Sequence, residues 1–186
     1  MLALMTEAKN ETAAAPPRLW TPEGFREDEW QHADNAEALA GNGRFILPLQ
    51  VFLDLGPVVR KSARERLGVL LMPADPVEKI AGLLDDLSLV ALAFPAFNDG
   101  RSFSKAELLR SRHGFAGAVR ATGQVLVDQL PHMLRLGFDE FEISHPVLIR
   151  RLEEGRVGGL GLYYQPTATP AGAPAKGAGY SWRRSR

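Results

Sequence analysis

The chain of 186 residues contains no cysteine. That excludes disulfides, thiol nucleophiles, CxxC redox chemistry and cysteine-ligated iron–sulfur clusters. Histidine is scarce: His32, His113, His132 and His145 are the only four, with no HxxxH or HxH spacing, so a structural zinc site is not expected. Net charge is also missing, because 22 Lys and Arg balance 22 Asp and Glu. A general nucleic-acid binder draws its affinity from neutralised phosphates, and this balance argues against one and gives no reason to expect a membrane partner. No stretch approaches the run of about 20 apolar residues that a membrane span needs. Met1–Met5 is apolar but is interrupted at once by Thr6–Asn10, which does not make a signal peptide. The expectation is a cytoplasmic protein whose own side chains carry no electrons.

What is present is enough for one domain with a core. Residues 1–18 are rich in Ala, Pro and polar residues without periodicity and read as a disordered arm. Residues 166–186 form a low-complexity tail of Thr, Ala, Pro and Gly ending in the basic, aromatic Tyr180–Arg186. Residues 19–165 are read as a single α/β domain. Apolar runs at Leu67–Met72 and Leu89–Phe94, and Ala118–Ala121 and Asp139–Ile143, read as strands. Between them, Asp75-Pro76-Val77-Glu78 predicts a capped helix with Val77, Ile80, Ala81, Leu84 and Leu87 on one face. Ser104–Glu107 predicts a second helix, Gln124–Leu136 a third with Pro131 kinking its interior, and Ser144 to Leu152 a fourth. Gly159–Tyr164 reads as a last strand. Strands alternating with helices imply a mainly parallel sheet built from consecutive βα units, either half of a (β/α)8 barrel or an open sheet. The segment Trp20–Leu55 reads as a loop holding Trp30, a short strand at Phe45–Leu47 and a helix near Leu49–Leu55, together covering one edge.

Ligands of parallel sheets sit beyond the C-terminal ends of the strands, which singles out three loops. Phe94–Ser104 and Arg120–Gln124, leading to Asp128 and Gln129, bring Arg101 and Arg120 towards helix starts at Ser104 and Gly123. Guanidinium groups beside Ser104, Gly123, Gln124 and Gln129 form a candidate oxyanion site. Asp99 and Asp128 are the candidate acid or base residues. The structural alternative is that they pair with the arginines and shape the loops. The third loop carries His145, for which Glu142 is the nearest carboxylate in sequence. No Ser-His-Asp order, P-loop or GxGxxG motif occurs, so no cofactor site is recognisable.

The stretch Phe94-Pro95-Ala96-Phe97-Asn98-Asp99-Gly100-Arg101-Ser102-Phe103-Ser104 through Leu108-Leu109-Arg110 resembles a bacterial family, domain-of-unknown-function family 934. So do Gly114-Phe115, Val119–Val125, Asp128-Gln129 and Gly137–Glu142. The similarity runs roughly from Asp28 to Gln165. Members are usually encoded beside sulfite reductase and are often labelled oxidoreductases of sulfite reduction. The resemblance therefore implies an accessory protein of assimilatory sulfite reduction. Such a protein would bind a small oxyanion or dock on sulfite reductase or another sulfate-assimilation enzyme. Siroheme and the iron–sulfur cluster would then belong to that partner. Leu136 stands where many members have cysteine, and Ala118 where many have glutamate, which argues against thiol or acid/base chemistry at those positions. Two other readings stand beside this one. The chain could be an enzyme for a small sulfur-containing or phosphorylated metabolite. Or it could be a structural interaction module, with a homodimer covering its exposed sheet edges.

Overall fold

The computed structural model describes residues 16–159 apart from Phe97. The expected arm before Pro16, the tail after residue 165 and nearly all of the expected strand at Gly159–Tyr164 lie outside the described residues. Among the described residues eight strands form one sheet: β1 (Arg18–Thr21), β2 (Gly24–Arg26), β3 (Trp30–His32), β4 (Arg44–Pro48), β5 (Leu67–Leu71), β6 (Leu89–Phe94), β7 (Ala118–Gly123) and β8 (Glu140–Ile143). Their order across the sheet is β2-β1-β8-β7-β6-β5-β4-β3. From β3 to β8 every pairing is parallel, while β1 runs antiparallel to both β8 and β2. The sheet is thus mainly parallel, as the alternation implied, with an antiparallel hairpin added at one end.

The segment before β4 departs from its reading as an edge-covering loop. It forms three short strands that occupy both edges of the sheet. Strands of three or four residues with mixed polar content, such as Trp30-Gln31-His32, carry too little alternation to be seen in sequence.

The sheet is strongly curled. Five strand spacings separate β3 from β8, about 24 Å if the sheet were flat. Yet His32 on β3 and Glu142 on β8 are joined at 2.9 Å. The two edge strands are also consecutive in the chain: only residues 27–29 connect β2 to β3, a link that reaches at most about 14 Å.

Curling gives the sheet two unlike faces. The outer face holds the main core. Leu47, Val69, Val90, Leu92, Val119 and Phe141 pack there against Phe52, Ile80, Leu109, Met133 and Leu148, all buried. Each such side chain contributes roughly 1.5–3 kcal/mol through burial. Among the described residues the α-helices are α1 (Leu49–Asp54), α2 (Pro57–Ala63), α3 (Arg101–Glu107), α4 (Leu130–Leu136) and α5 (Pro146–Glu153). The inner face has a small apolar patch of Ile46, Leu89 and Ala91 flanked by Trp30, Leu70 and Ala118. Gly68 is part of that packing, since a Cβ there would lie 3.2 Å from both Trp30 and Ile46.

Three helix expectations are corrected. Val77–Lys79 and Ala81–Asp86 are 3-10 turns and not one α-helix, although Val77, Ile80, Leu84 and Leu87 are buried as the spacing implied. The Asp75 carboxylate accepts from the Met72 amide behind it, so it caps no helix ahead, and Gly82 weakens the middle. Helix α3 begins at Arg101, three residues before Ser104, because Asp99 accepts from the Arg101 amide and starts the turn. Pro131 falls in the first turn of α4, where its missing N–H costs nothing, and so opens the helix and does not kink it.

Candidate functional site

Alternation along β7 and β8 builds a polar cluster on the inner face. Arg120 is paired in register with Ala91 on one side and Glu140 on the other, so it shares their face while Val119 and Ala121 enter the outer core. Its guanidinium is fully buried. Nη1 and Nη2 donate to the Asp28 carboxylate at 2.8 and 3.0 Å, Nε donates to Glu140 at 2.9 Å, and Nη1 donates to Glu142 at 3.2 Å. Glu142 also accepts from the Thr122 hydroxyl and meets His32 Nε2. One cation thus faces three carboxylates, and a protonated His32 reduces the negative excess.

The pairing shifts the titration of Arg120, Glu142 and His32. Burial works against the charged form of Arg120, but Asp28 and Glu140 outweigh it and hold the guanidinium above its ordinary value. Burial likewise pushes Glu142 up, yet hydrogen bonds from His32 and Thr122 and the nearby positive charges leave it below the ordinary carboxylate range. The hydrogen bond to Glu142 raises His32 against the opposing effects of burial and Arg120. Arg120, Glu142 and His32 are each held towards the charged form by their partners, which is the condition of a structural ion network and not of an acid poised to transfer a proton.

The strand-end loop after β6 is different in kind. Asp99 and Arg101 form a two-pronged pair, Nε to Oδ1 at 3.0 Å and Nη2 to Oδ2 at 2.7 Å, with Arg101 largely exposed. Arg101 thereby holds the Asp99 carboxyl below its ordinary value. Beneath them the buried Ser102 hydroxyl donates to the Ala93 carbonyl at 2.7 Å, fastening the start of α3 to the end of β6. Lys105 is also buried; it donates to the Met72 carbonyl, and desolvation lowers its pKa. Ser104 is exposed on α3.

The structure does not assemble Arg101 and Arg120 into one rim. Arg101 lies on the surface at the head of α3, whereas Arg120 points into the curled sheet and is surrounded by acids. Gly123 ends β7 at φ 96°, with the site of its missing Cβ 2.5 Å from the Phe94 carbonyl oxygen, so it serves the close approach of β7 to β6. The Gln124 amide donates to that same oxygen at 2.7 Å. Gln129 precedes α4, and Asp128 lies exposed in the loop before it.

Residues that sequence reasoning passed over are Asp28, His32, Thr122 and Glu140. A signal for two of them was present: Arg120 and Thr122, like Glu140 and Glu142, are polar at alternate positions in otherwise apolar strands. Glu142 does meet a histidine, but it is His32 from the far edge and not the neighbouring His145, which is exposed ahead of α5.

Arg110 forms a third centre. It donates to the carbonyls of Phe115, Gly117 and Gly137 and pairs with Asp139, which in turn accepts from the Val119 amide at 2.9 Å. Gly137, at φ 96°, leaves the space that the Arg110 side chain fills. Several residues carrying the family resemblance are therefore accounted for by folding. Among the described residues no group of three or more His, Asp or Glu is arranged to hold a metal ion, and no helix is long and apolar enough to cross a membrane.

Residues 68–173, more than half of the chain, match a family described as bacterial protein of unknown function (DUF934). The chain belongs to this family. The matched region starts within β5 and takes in β6 to β8 with the loops between them, so the family's common part includes Arg120, Glu140 and Glu142 but not Asp28 or His32. No curated protein matches the chain.

Proposed function

We propose that this protein is an accessory protein of assimilatory sulfite reduction that docks on sulfite reductase, or on another sulfate-assimilation enzyme, through its strand-end loop. The observation that carries the reading is the state of the described residues within Phe94–Ser104, a segment that carries the family resemblance. Pro95, Asn98, Gly100, Arg101 and Ser104 are open to solvent, while the Ser102 anchor and the Asp99–Arg101 pair fix the backbone beneath them. Exposed side chains on backbone held in this way lose little freedom on binding, as a docking surface requires. Docking is favoured over oxyanion capture by the two arginines, because both guanidinium groups are already met by carboxylates. With no cysteine in the chain, the siroheme and iron–sulfur chemistry is assigned to the partner.

The test is sulfite-dependent NADPH oxidation by the host's sulfite reductase, with and without this protein and with its Arg101→Ala variant. Stimulation by the wild type that falls away in the variant is the expected result. No effect of the wild-type protein at saturating concentration would overturn the proposal.

A further inference from the structure

A cleft of about 420 Å3 lies on the helical side of the molecule. It is bounded by Val127 and Asp128, by Pro131, His132 and Arg135 of α4, by Arg151 of α5, and by Gly158 and Gly159 of the chain leaving α5. It shares no residue with the strand-end loop or with the Arg120 cluster. Its most telling member is Arg151. This side chain is half-buried, its Nε is sealed from solvent, and it meets no hydrogen-bond acceptor or carboxylate among the described residues. Buried guanidinium donors are nearly always satisfied, and leaving one without an acceptor costs on the scale of a lost charged hydrogen bond. Basic residues in the last turn of a helix are favoured by the helix dipole, which accounts for Arg135 and Arg151 as a residue type. It does not account for an enclosed Nε with nothing to donate to.

The rest of the lining suits an anion held at one end. Arg135 adds a second positive charge. His132 is fixed by its ring contact with Phe103, 5.2 Å between centroids, and gives a rigid wall. Gly158, at φ 83°, lines the cleft, and a Cβ at that position would lie 4.0 Å from both the Arg151 guanidinium and the Pro131 ring, so the glycine leaves open the space beside the arginine. Asp128 is exposed, makes no ion pair with Arg151, and is free to accept from a hydroxyl or amine at the other end of a ligand. The volume exceeds that of a bare tetrahedral anion and falls in the range of small-metabolite sites.

We propose that this cleft binds a small metabolite bearing a doubly charged oxyanion group, phosphate or a sulfur oxyanion, with Arg151 as the residue that grips it. The proposal goes beyond the docking role and stands whether or not the chain associates with sulfite reductase.

Isothermal titration of the full chain with inorganic phosphate, sulfate and sulfite, each against sodium chloride of equal ionic strength, tests it directly. The wild type is expected to bind at least one of the three, and the pattern across them separates a phosphate site from a sulfur-oxyanion site. Arg151→Gln is expected to weaken that binding by roughly 10- to 100-fold, the loss of one charge-assisted contact. Asp128→Asn, at an exposed position that leaves folding intact, is expected to tighten it several-fold by removing an opposing charge. No binding by the wild type, unchanged affinity in a folded Arg151→Gln, or unchanged affinity in Asp128→Asn would each overturn the assignment.

Discussion

Arg101 and Arg120 stand in the same family-like stretch, each follows an apolar strand or interrupts one, and each is met by carboxylate oxygen. In the fold they have little else in common. Arg101 pairs with a residue two positions away, on the surface, with 63% of its side chain exposed. Arg120 is 0% exposed, and one of its partners, Asp28, is 92 residues distant. A local pair forms whenever its loop forms. A pair that spans the molecule exists only when β3, β7 and β8 have come together, so it reports on the curl of the whole sheet. Identical chemistry thus supports a loop in one place and a tertiary closure in the other.

The largest expected effect follows from removing the buried cation. Arg120→Met leaves Asp28, Glu140 and Glu142 facing one another without their counter-charge, and breaking one side of a buried ion network typically costs about 3–5 kcal/mol. Urea denaturation should show that loss. Adding Glu142→Leu to the variant should restore part of it, since the second substitution removes the acid left most buried. A loss below about 1 kcal/mol for Arg120→Met would mean that the network contributes no more than an exposed pair, and the contrast with Arg101 would vanish.

A smaller effect is expected from pH. His32 titrates above its ordinary value of 6.5 because Glu142 accepts its hydrogen bond. The stabilisation this gives is full below about pH 6.5 and is lost as pH rises through the raised folded value. Glu142 is held below its ordinary 4.5, against the effect of burial, by His32, Thr122 and Arg120. Its contribution is full above about pH 4.5 and is lost as pH falls through the lowered folded value. Both are therefore complete between those limits. The stability difference between the wild type and His32→Gln should be greatest near pH 5.5 and shrink by about pH 8. Urea midpoints at the two pH values would check this, and a difference that stays constant would show that His32 bears no proton in the contact.

How far these features could be seen in the sequence follows from their range. β5, β6 and β8 are dense apolar or alternating runs, and each was legible to within a residue or so, as was α5 with Pro146 inside its first turn. The Asp99–Arg101 pairing was legible as an alternative because both residues lie in one loop. The curl was not. It depends on three-residue strands, and nothing at Trp30-Gln31-His32 marks an edge strand. The sequence puts Arg120 at a strand end because the apolar run there closes at Ala121. In fact β7 continues to Gly123, and those two extra residues move Arg120 from the rim into the sheet interior. The cleft at Arg151 was invisible for a similar reason: it joins α4, α5 and a glycine pair whose proximity only the packing decides.

The smallest expected effect on stability belongs to Arg101→Ala, and it sharpens the comparison most. The pair it breaks is local and exposed, and such pairs contribute little to folding. Thermal denaturation should therefore show no resolvable change. The Asp99 carboxyl, now held down first by the Arg101 hydrogen bond, should move up towards its ordinary 3.8 when followed by NMR. If the loop is a docking surface, the same variant loses stimulation of the reductase while remaining as stable as the wild type. That combination, function lost and fold kept, is the reverse of what Arg120→Met should do at the start of the series. A fall in melting temperature comparable to that of Arg120→Met would instead make the loop pair part of the framework, and the division between local and long-range arginine would fail.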